Sequence, residues 1–314
     1  MANETGPEIV DIVTDGDVIL VVGPDKRKLR VKSMLLMAAS KPFSAMLGPS
    51  WKEGHDMRQH GGSHEVLLPD DNASAMEIIC SVIHFQNHKI PQTLPASDVL
   101  AVTLAADKYD FLNAIQLAQR AWLWEVKVKP EDLMLLAAVA YLIRDAQAFR
   151  DITAALVLNH HGSYLALSGE DTESIMPWEV LYLLEEQRGF ARLQLSHILI
   201  SGVNLGQCSC PYGWTSKQTS AYIRQLFFED LWPANFYKMS ISGALQKAEL
   251  MPDPVPLETS NPCANARYHQ VPAYRQNLTV AIERLNKSVG LCLECVREGS
   301  DTFMCIQRSH RSKD

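Results

Sequence analysis

The stretch from Ser97 to Phe111 constrains this chain more than any other. It reads Ser-Asp-Val-Leu-Ala-Val-Thr-Leu-Ala-Ala-Asp-Lys-Tyr-Asp-Phe. Leu100, Leu104 and Phe111 recur at helical spacing with small alanines between them, the pattern of a helix with one buried face. Ser97 or Asp98 is placed to cap its start. The helix closes on Asp107-Lys108-Tyr109-Asp110, and the residues before it alternate between strand and helix signals.

Residues 1–14 read as a loose lead-in. Asp17 to Gly23 is a compact β-branched run stopped by Gly23-Pro24-Asp25, a turn signal. Leu29-Arg30-Val31-Lys32 alternates and reads as the return strand of a hairpin. Ser33 is a candidate cap for the next helix. Met34, Leu35, Leu36, Ala38 and Ala39 are dense enough for burial on more than one side. Ser40-Lys41-Pro42 ends that helix, because proline disfavours helix at the residue before it, and Phe43, Met46 and Leu47 begin a short one. Gly48 to His64 reads as a loop, with His55, His60 and His64 solvated. Glu65 to Pro69 is a third strand, and Asp70 or Asp71 caps a helix carrying Met76, Ile79, Ile83 and Phe85. After the Leu100 helix, Leu112, Ile115, Leu117, Ala118 and Trp122 form another helical face.

Strand, strand, helices, third strand, more helices is an order that resembles a BTB/POZ domain. Asp17-Val18-x-Leu20 resembles the family's opening strand. Val31-x5-Met37-x2-Ser40-x2-Phe43 resembles its Val-His-x3-Leu-x3-Ser-x2-Phe segment. Val66-x-Leu68-x-Asp70 and Leu104-Ala-Ala-Asp-Lys-Tyr109 resemble its later blocks. The resemblance covers roughly residues 15–125. One position departs from it: Lys32 stands where the family has histidine. A buried lysine is costly unless paired, so Lys32 is expected to be exposed, or paired with an acid such as Asp17. The fold class expected is α+β, a BTB/POZ fold with a short three-stranded sheet and surrounding helices, followed by a mostly α-helical region.

Pro130, Glu131 and Asp132 suit the start of a helix, and Leu133 to Ile143 follows as a buried one. Phe149, Ile152, Leu156 and Leu158 continue helically to His160-His161-Gly162, which reads as a helix C-terminus. Gly169 to Met176 reads as a polar loop. From Pro177, the residues Val180, Leu181, Leu184, Phe190, Leu193 and Ile198 carry a helix to about Ile200. Residues 127–205 are expected to be a helical extension, and residues 206–305 a helical, cysteine-containing subdomain.

Five of the seven cysteines lie between Cys208 and Cys295. Tyr222, Ile223, Leu226, Phe227 and Leu231 mark one amphipathic helix there, and Leu278, Ile282, Leu285 and Val289 another, with a proline-rich connector from Met251 to Pro272. The Cys292-x-x-Cys295 spacing lets two thiolates grip one zinc ion. Cys208 and Cys210 are the candidate first pair, and Cys263 and His269 are alternates. Gly290-Leu-Cys-Leu-Glu-Cys295 resembles the C-terminal region of filamentous-fungal BTB proteins. The competing reading is of reduced cysteines acting as small hydrophobes or surface thiols. A redox role is disfavoured because helical residues, not a strand, precede the motif.

The chain has 314 residues, 47% hydrophobic and 21% charged, with a formal net charge of −7. That acidic balance argues against a protein held on nucleic acid by a global positive field. The N-terminus lacks the apolar core of a secretory signal, and the Leu133–Ile143 run is shorter than the ~20 residues of a membrane span. The expectation is an intracellular protein, cytoplasmic or nuclear, with reduced cysteines. No phosphate-binding loop, nucleophile elbow or His-Glu-x-x-His is present, so no catalytic residue is named and no enzyme is expected.

The leading function class is therefore a protein–protein interaction module. The resemblance implies either an adaptor that recruits substrates to a cullin-type ubiquitin ligase, or a transcriptional regulator or scaffold. It also implies dimerisation through the first strand and helix. Met34, with Phe43 and Met46, marks the candidate dimer face, although the same residues suit a core. The adaptor surface implied lies near Ser40–Leu47 and after the third strand, where Asp70, Asp71, Phe85 and Tyr109 are the candidate partner-binding residues. The other class is a zinc-dependent enzyme or nucleic-acid binder built on the C-terminal cysteines. Its basic residues, such as Arg224, Lys238 and Arg284, are scattered rather than aligned.

Overall fold

A computed structural model describes residues 9–49, 64–123, 129–204, 214–255 and 274–300. The chain forms two compact units, Met1–Ile143 and Arg144–Asp314.

The first unit is built on a four-stranded sheet of order β1-β3-β2-β4, with β1 Ile9–Asp11, β2 Val18–Val22, β3 Arg27–Val31 and β4 His64–Leu68. β2 and β3 form an antiparallel hairpin in which Val18 faces Val31 and Val22 faces Arg27. Its turn takes left-handed backbone at Gly23 and Lys26. All five residues of β2 are buried, which explains why they form an unbroken apolar run rather than an alternating one. β4 lies parallel to β2. The expected sheet had three strands. The fourth, β1, lies in the lead-in and runs parallel to β3, with Arg30 Nε 2.8 Å from Asp11 Oδ1. Three residues of mixed polarity carry too little periodicity to announce a strand.

Helices α1 (Ser33–Ala39) and α2 (Lys41–Met46) follow the hairpin. Ser40 ends one and caps the other, its hydroxyl accepting the Phe43 N–H at 3.0 Å. Helix α3 (Ala73–Ile83) is capped by Asn72, not by the aspartates before it. Helix α4 (Ala96–Lys108) begins after Pro95, ahead of the caps expected at Ser97 and Asp98. Helix α5 (Leu112–Leu123) buries Ile115 and Trp122, but Leu117, expected on that face, is exposed. The buried neighbour on α5 is Gln119, whose amide donates to Thr103 Oγ1. Helix α6 (Pro130–Leu142) packs on α4, so this first segment of the expected extension belongs to the first unit.

The second unit is helical: α7 (Ala146–Asn159), α8 (Glu170–Ile175), α9 (Glu179–Ser201), α10 (Trp214–Phe228), α11 (Ile241–Leu250), α12 (Tyr274–Ser288) and α13 (Leu293–Glu298). Long α9 packs against α7 and α12. The polar stretch read as a loop contains α8, whose start is closed when the Gly169 N–H donates to Thr172 Oγ1 at 3.0 Å. His160 is the C-cap of α7, as its sequence suggests. The cation at that negative helix end is Arg188, which donates to the carbonyls of His160 and Gly162 and pairs with Glu185. Leu278, Ile282, Leu285 and Val289 are buried as the amphipathic pattern of α12 requires.

Candidate functional site

The segments singled out in the first unit meet around one polar contact inside an aromatic cluster. Asp71, at the β4–α3 turn, is buried. Its Oδ2 accepts the Tyr109 hydroxyl at 2.6 Å, and its Oδ1 lies 2.6 Å from Lys108 Nζ. Tyr109 packs on Phe43 with ring centroids 5.0 Å apart, and Phe43 on Phe111 at 5.7 Å. Burial, then the Asp71 carboxylate, pushes the Tyr109 hydroxyl far above its ordinary pKa, so it stays a proton donor. Phe43, Asp71 and Tyr109 thus lie in the interior. They lock the end of α4 to α2 and to the β4–α3 turn.

The other named residues face outward. Met34 is 71% exposed and Phe85 is 76% exposed; Asp70 is exposed and Met46 half-buried. Phe85 holds a left-handed φ of 61°, a conformation that is unusual for a bulky residue. Within α1 the apolar run Met34–Ala39 has Leu36 as its one buried apolar side chain; Met34 and Ala38 are exposed and Leu35, Met37 and Ala39 half-buried.

One further residue, outside the sequence motifs, ties α3 to the start of α1. His84 is buried. Its Nδ1 lies 2.8 Å from the Cys80 carbonyl, and its Nε2 accepts the Lys32 backbone N–H at 2.9 Å. That bond ties the end of α3 to the start of α1, so Phe85 and Met34 flank it in sequence. The Lys32 side chain pairs with Asp15 at 2.9 Å rather than with Asp17. Asp17 is occupied by Ser33, whose N–H and hydroxyl both donate to it, at 2.7 and 2.6 Å. Those bonds outweigh burial and hold the Asp17 carboxyl below its usual range. The sequence signal for His84 is its spacing: four residues after Cys80 and eight after Met76, it falls in line with the buried face of α3.

Of the candidate metal ligands, Cys208, Cys210, Cys263 and His269 lie outside the described residues. Cys292 is half-buried and is the N-cap of α13, and Cys295 is buried within it. Among the described residues no group of three or more histidine, cysteine or acidic side chains is placed to hold a metal ion. No described helix is long and apolar enough to cross a membrane.

The family model of the BTB/POZ domain matches residues 14–123. No curated protein matches the chain, and no solved structure matches it.

Proposed function

With residues 14–123 a BTB/POZ domain, we propose that this protein is a non-catalytic interaction module whose BTB/POZ domain docks on a cullin-type ubiquitin-ligase scaffold. The helical unit would then hold the substrate to be modified. The observation that carries this reading is α1: six successive residues from Met34 to Ala39 are apolar, yet Leu36 alone is fully buried. Exposed apolar groups that a domain does not need for its own core are groups a partner can cover. Phe85 is a second exposed apolar side chain, and it follows His84, whose ring accepts the Lys32 N–H at the start of α1.

The test is binding of the purified full chain to the N-terminal region of a cullin scaffold, with molecular mass read by light scattering in the same run. Binding that Met34→Ala or Phe85→Ala weakens supports the adaptor role. Failure of the unaltered chain to bind rejects it. A dimer that Met34→Glu dissociates would then favour a homodimeric scaffold or transcriptional regulator using the same face.

The cysteines fit a structural zinc site in the second unit, with Cys292 and Cys295 as one pair, Cys208 and Cys210 as the other, and Cys263 or His269 as a substitute ligand. The spacing of three residues at the start of α13 supports this reading. Four protein ligands close the coordination sphere, which makes such a zinc structural rather than catalytic. Elemental analysis of chelator-free protein should find about one zinc per chain, and its absence sinks the site.

A further inference from the structure

Helix α9 is apolar on two opposite sides. Its inner side buries Val180, Leu184, Ala191, Leu195 and Leu199. At about 100° per residue, Trp178, Tyr182, Gly189, Leu193 and Ile200 fall together on the opposite side. Trp178 is 70%, Tyr182 60%, Leu193 67% and Ile200 45% exposed. The stripe is about 33 Å long at 1.5 Å per residue. A surface helix normally turns a polar face to water.

Gly189 stands midway between Trp178 and Ile200. Glycine weakens a helix interior, and nothing among the described residues calls for one here: a side-chain carbon at Gly189 would meet none of their atoms within 4 Å. Close approach of a second backbone from outside supplies the missing reason.

The charges beside the stripe are divided between its halves. Glu185 and Glu186 flank the first half. His197 flanks the second, together with Arg284 across a groove of about 640 Å³ between α9 and α12. His197 and Arg284 are exposed and make no ion pair among the described residues. Arg192 is turned inward instead: two of its nitrogens are buried, and it lies beside Arg188, Glu185 and Tyr164 of its own chain. A helix with an acidic half and a basic half complements itself when turned end for end.

We propose that α9 is a self-association surface on which two copies of this chain pack antiparallel, crossing at Gly189. Trp178 of each copy then covers Ile200 of the other, and Tyr182 lies near Leu193. Glu186 of each copy faces His197 and Arg284 of the other. A parallel pair would set acid against acid and base against base, which is repulsive. This contact is independent of any made by the BTB/POZ domain.

Oxidative cross-linking of full-length variants tests it, with the unaltered chain as the control for its own cysteines. Gly189→Cys should yield a disulfide-linked dimer, because the two positions meet at the crossing. Trp178→Cys mixed with Ile200→Cys should cross-link, and Trp178→Cys alone should not. Leu193→Glu should weaken association by about a hundredfold, because an apolar side chain is lost from both copies, and Tyr182→Lys should act in the same direction, each with an unchanged circular dichroism spectrum. Absence of the Gly189→Cys and mixed cross-links overturns the proposal. So does self-linking of Trp178→Cys, which would mean a parallel pair, or full cross-linking in the presence of Leu193→Glu. Dimerisation through the BTB/POZ domain alone would change the mass without producing these position-specific links.

Discussion

His84 Nε2 accepts the Lys32 backbone N–H at 2.9 Å while His84 Nδ1 faces the Cys80 carbonyl at 2.8 Å. The two contacts fix the tautomer: the proton is on Nδ1 and Nε2 is an acceptor. A second proton on Nε2 would set donor against donor. Burial, the largest cause, accordingly lowers the His84 pKa. The folded state therefore binds fewer protons than the unfolded one, so stability is full above the unfolded histidine value of about 6.5 and declines as pH falls through it. Urea unfolding between pH 8 and pH 5 should show this decline, and His84→Gln should flatten it. An identical pH profile in that variant would show that His84 is not the group responsible.

Asp71 and Tyr109 should behave as a coupled pair. Tyr109→Phe removes a hydrogen bond to a buried carboxylate, worth about 1.5–3 kcal/mol. Asp71→Ala leaves the Tyr109 hydroxyl buried without an acceptor and should cost at least as much. The double variant should lose less than the two single losses added together. Additive losses in a denaturant cycle would mean that the two side chains do not depend on each other.

Which parts of this fold were legible follows from where each residue finds its partner. Val18–Val22 declared itself because burial fills it with apolar side chains, and Glu65–Leu68 because Val66 and Leu68 alternate into the core, with turn residues ending both. β1 did not, because Ile9–Asp11 is held by Arg30 and by Lys89 Nζ on the Asp11 carbonyl, both distant in sequence. Asp71 stands where a helix cap is expected. It serves a tertiary contact instead, and Asn72 caps α3. Ser33, a candidate cap by the same pattern, is taken by Asp17. Short polar side chains state that a local bond is available; they do not state which competitor claims them. Within the candidate surface, Met34 and Phe85 stood out by composition. The burial of Phe43 and Tyr109, and the role of His84, depended on packing between segments that no local pattern specifies.

Phe85 offers a substitution that should raise stability and lower binding together. Its φ of 61° follows α3 at the position where glycine commonly ends a helix. Left-handed backbone costs a side-chain-bearing residue about 1–2 kcal/mol, and glycine returns part of that as unfolded-chain entropy. Phe85→Gly should therefore stabilise the domain by about 0.5–1 kcal/mol in thermal or urea unfolding. The same variant should lose affinity for the BTB/POZ partner by about tenfold or more, because a large exposed aromatic is gone. Reduced stability would show that Phe85 makes contacts its exposure conceals. Unchanged affinity would remove Phe85 from the partner surface.

Gly290 marks a close backbone approach in the second unit. Its φ is 106°, which side-chain-bearing residues rarely adopt, and a Cβ there would stand 2.6 Å from the Arg150 carbonyl oxygen. One residue on, the Leu291 N–H donates to Thr153 Oγ1 at 2.9 Å, in the buried seam where the chain entering α13 meets α7. Thr153 Oγ1 also donates to the Phe149 carbonyl, so one hydroxyl serves a helix and the chain laid across it. Gly290→Ala must shift backbone rather than a flexible side chain, and should destabilise by about 2–3 kcal/mol. Thr153→Val keeps the shape but strands the Leu291 N–H, and should cost about 1–3 kcal/mol. Both losses should appear in denaturant unfolding of the full chain, and the pair should be less than additive because both loosen the same crossing. Wild-type stability in Gly290→Ala would mean that the seam between α7 and the approach to α13 is more open than its geometry indicates.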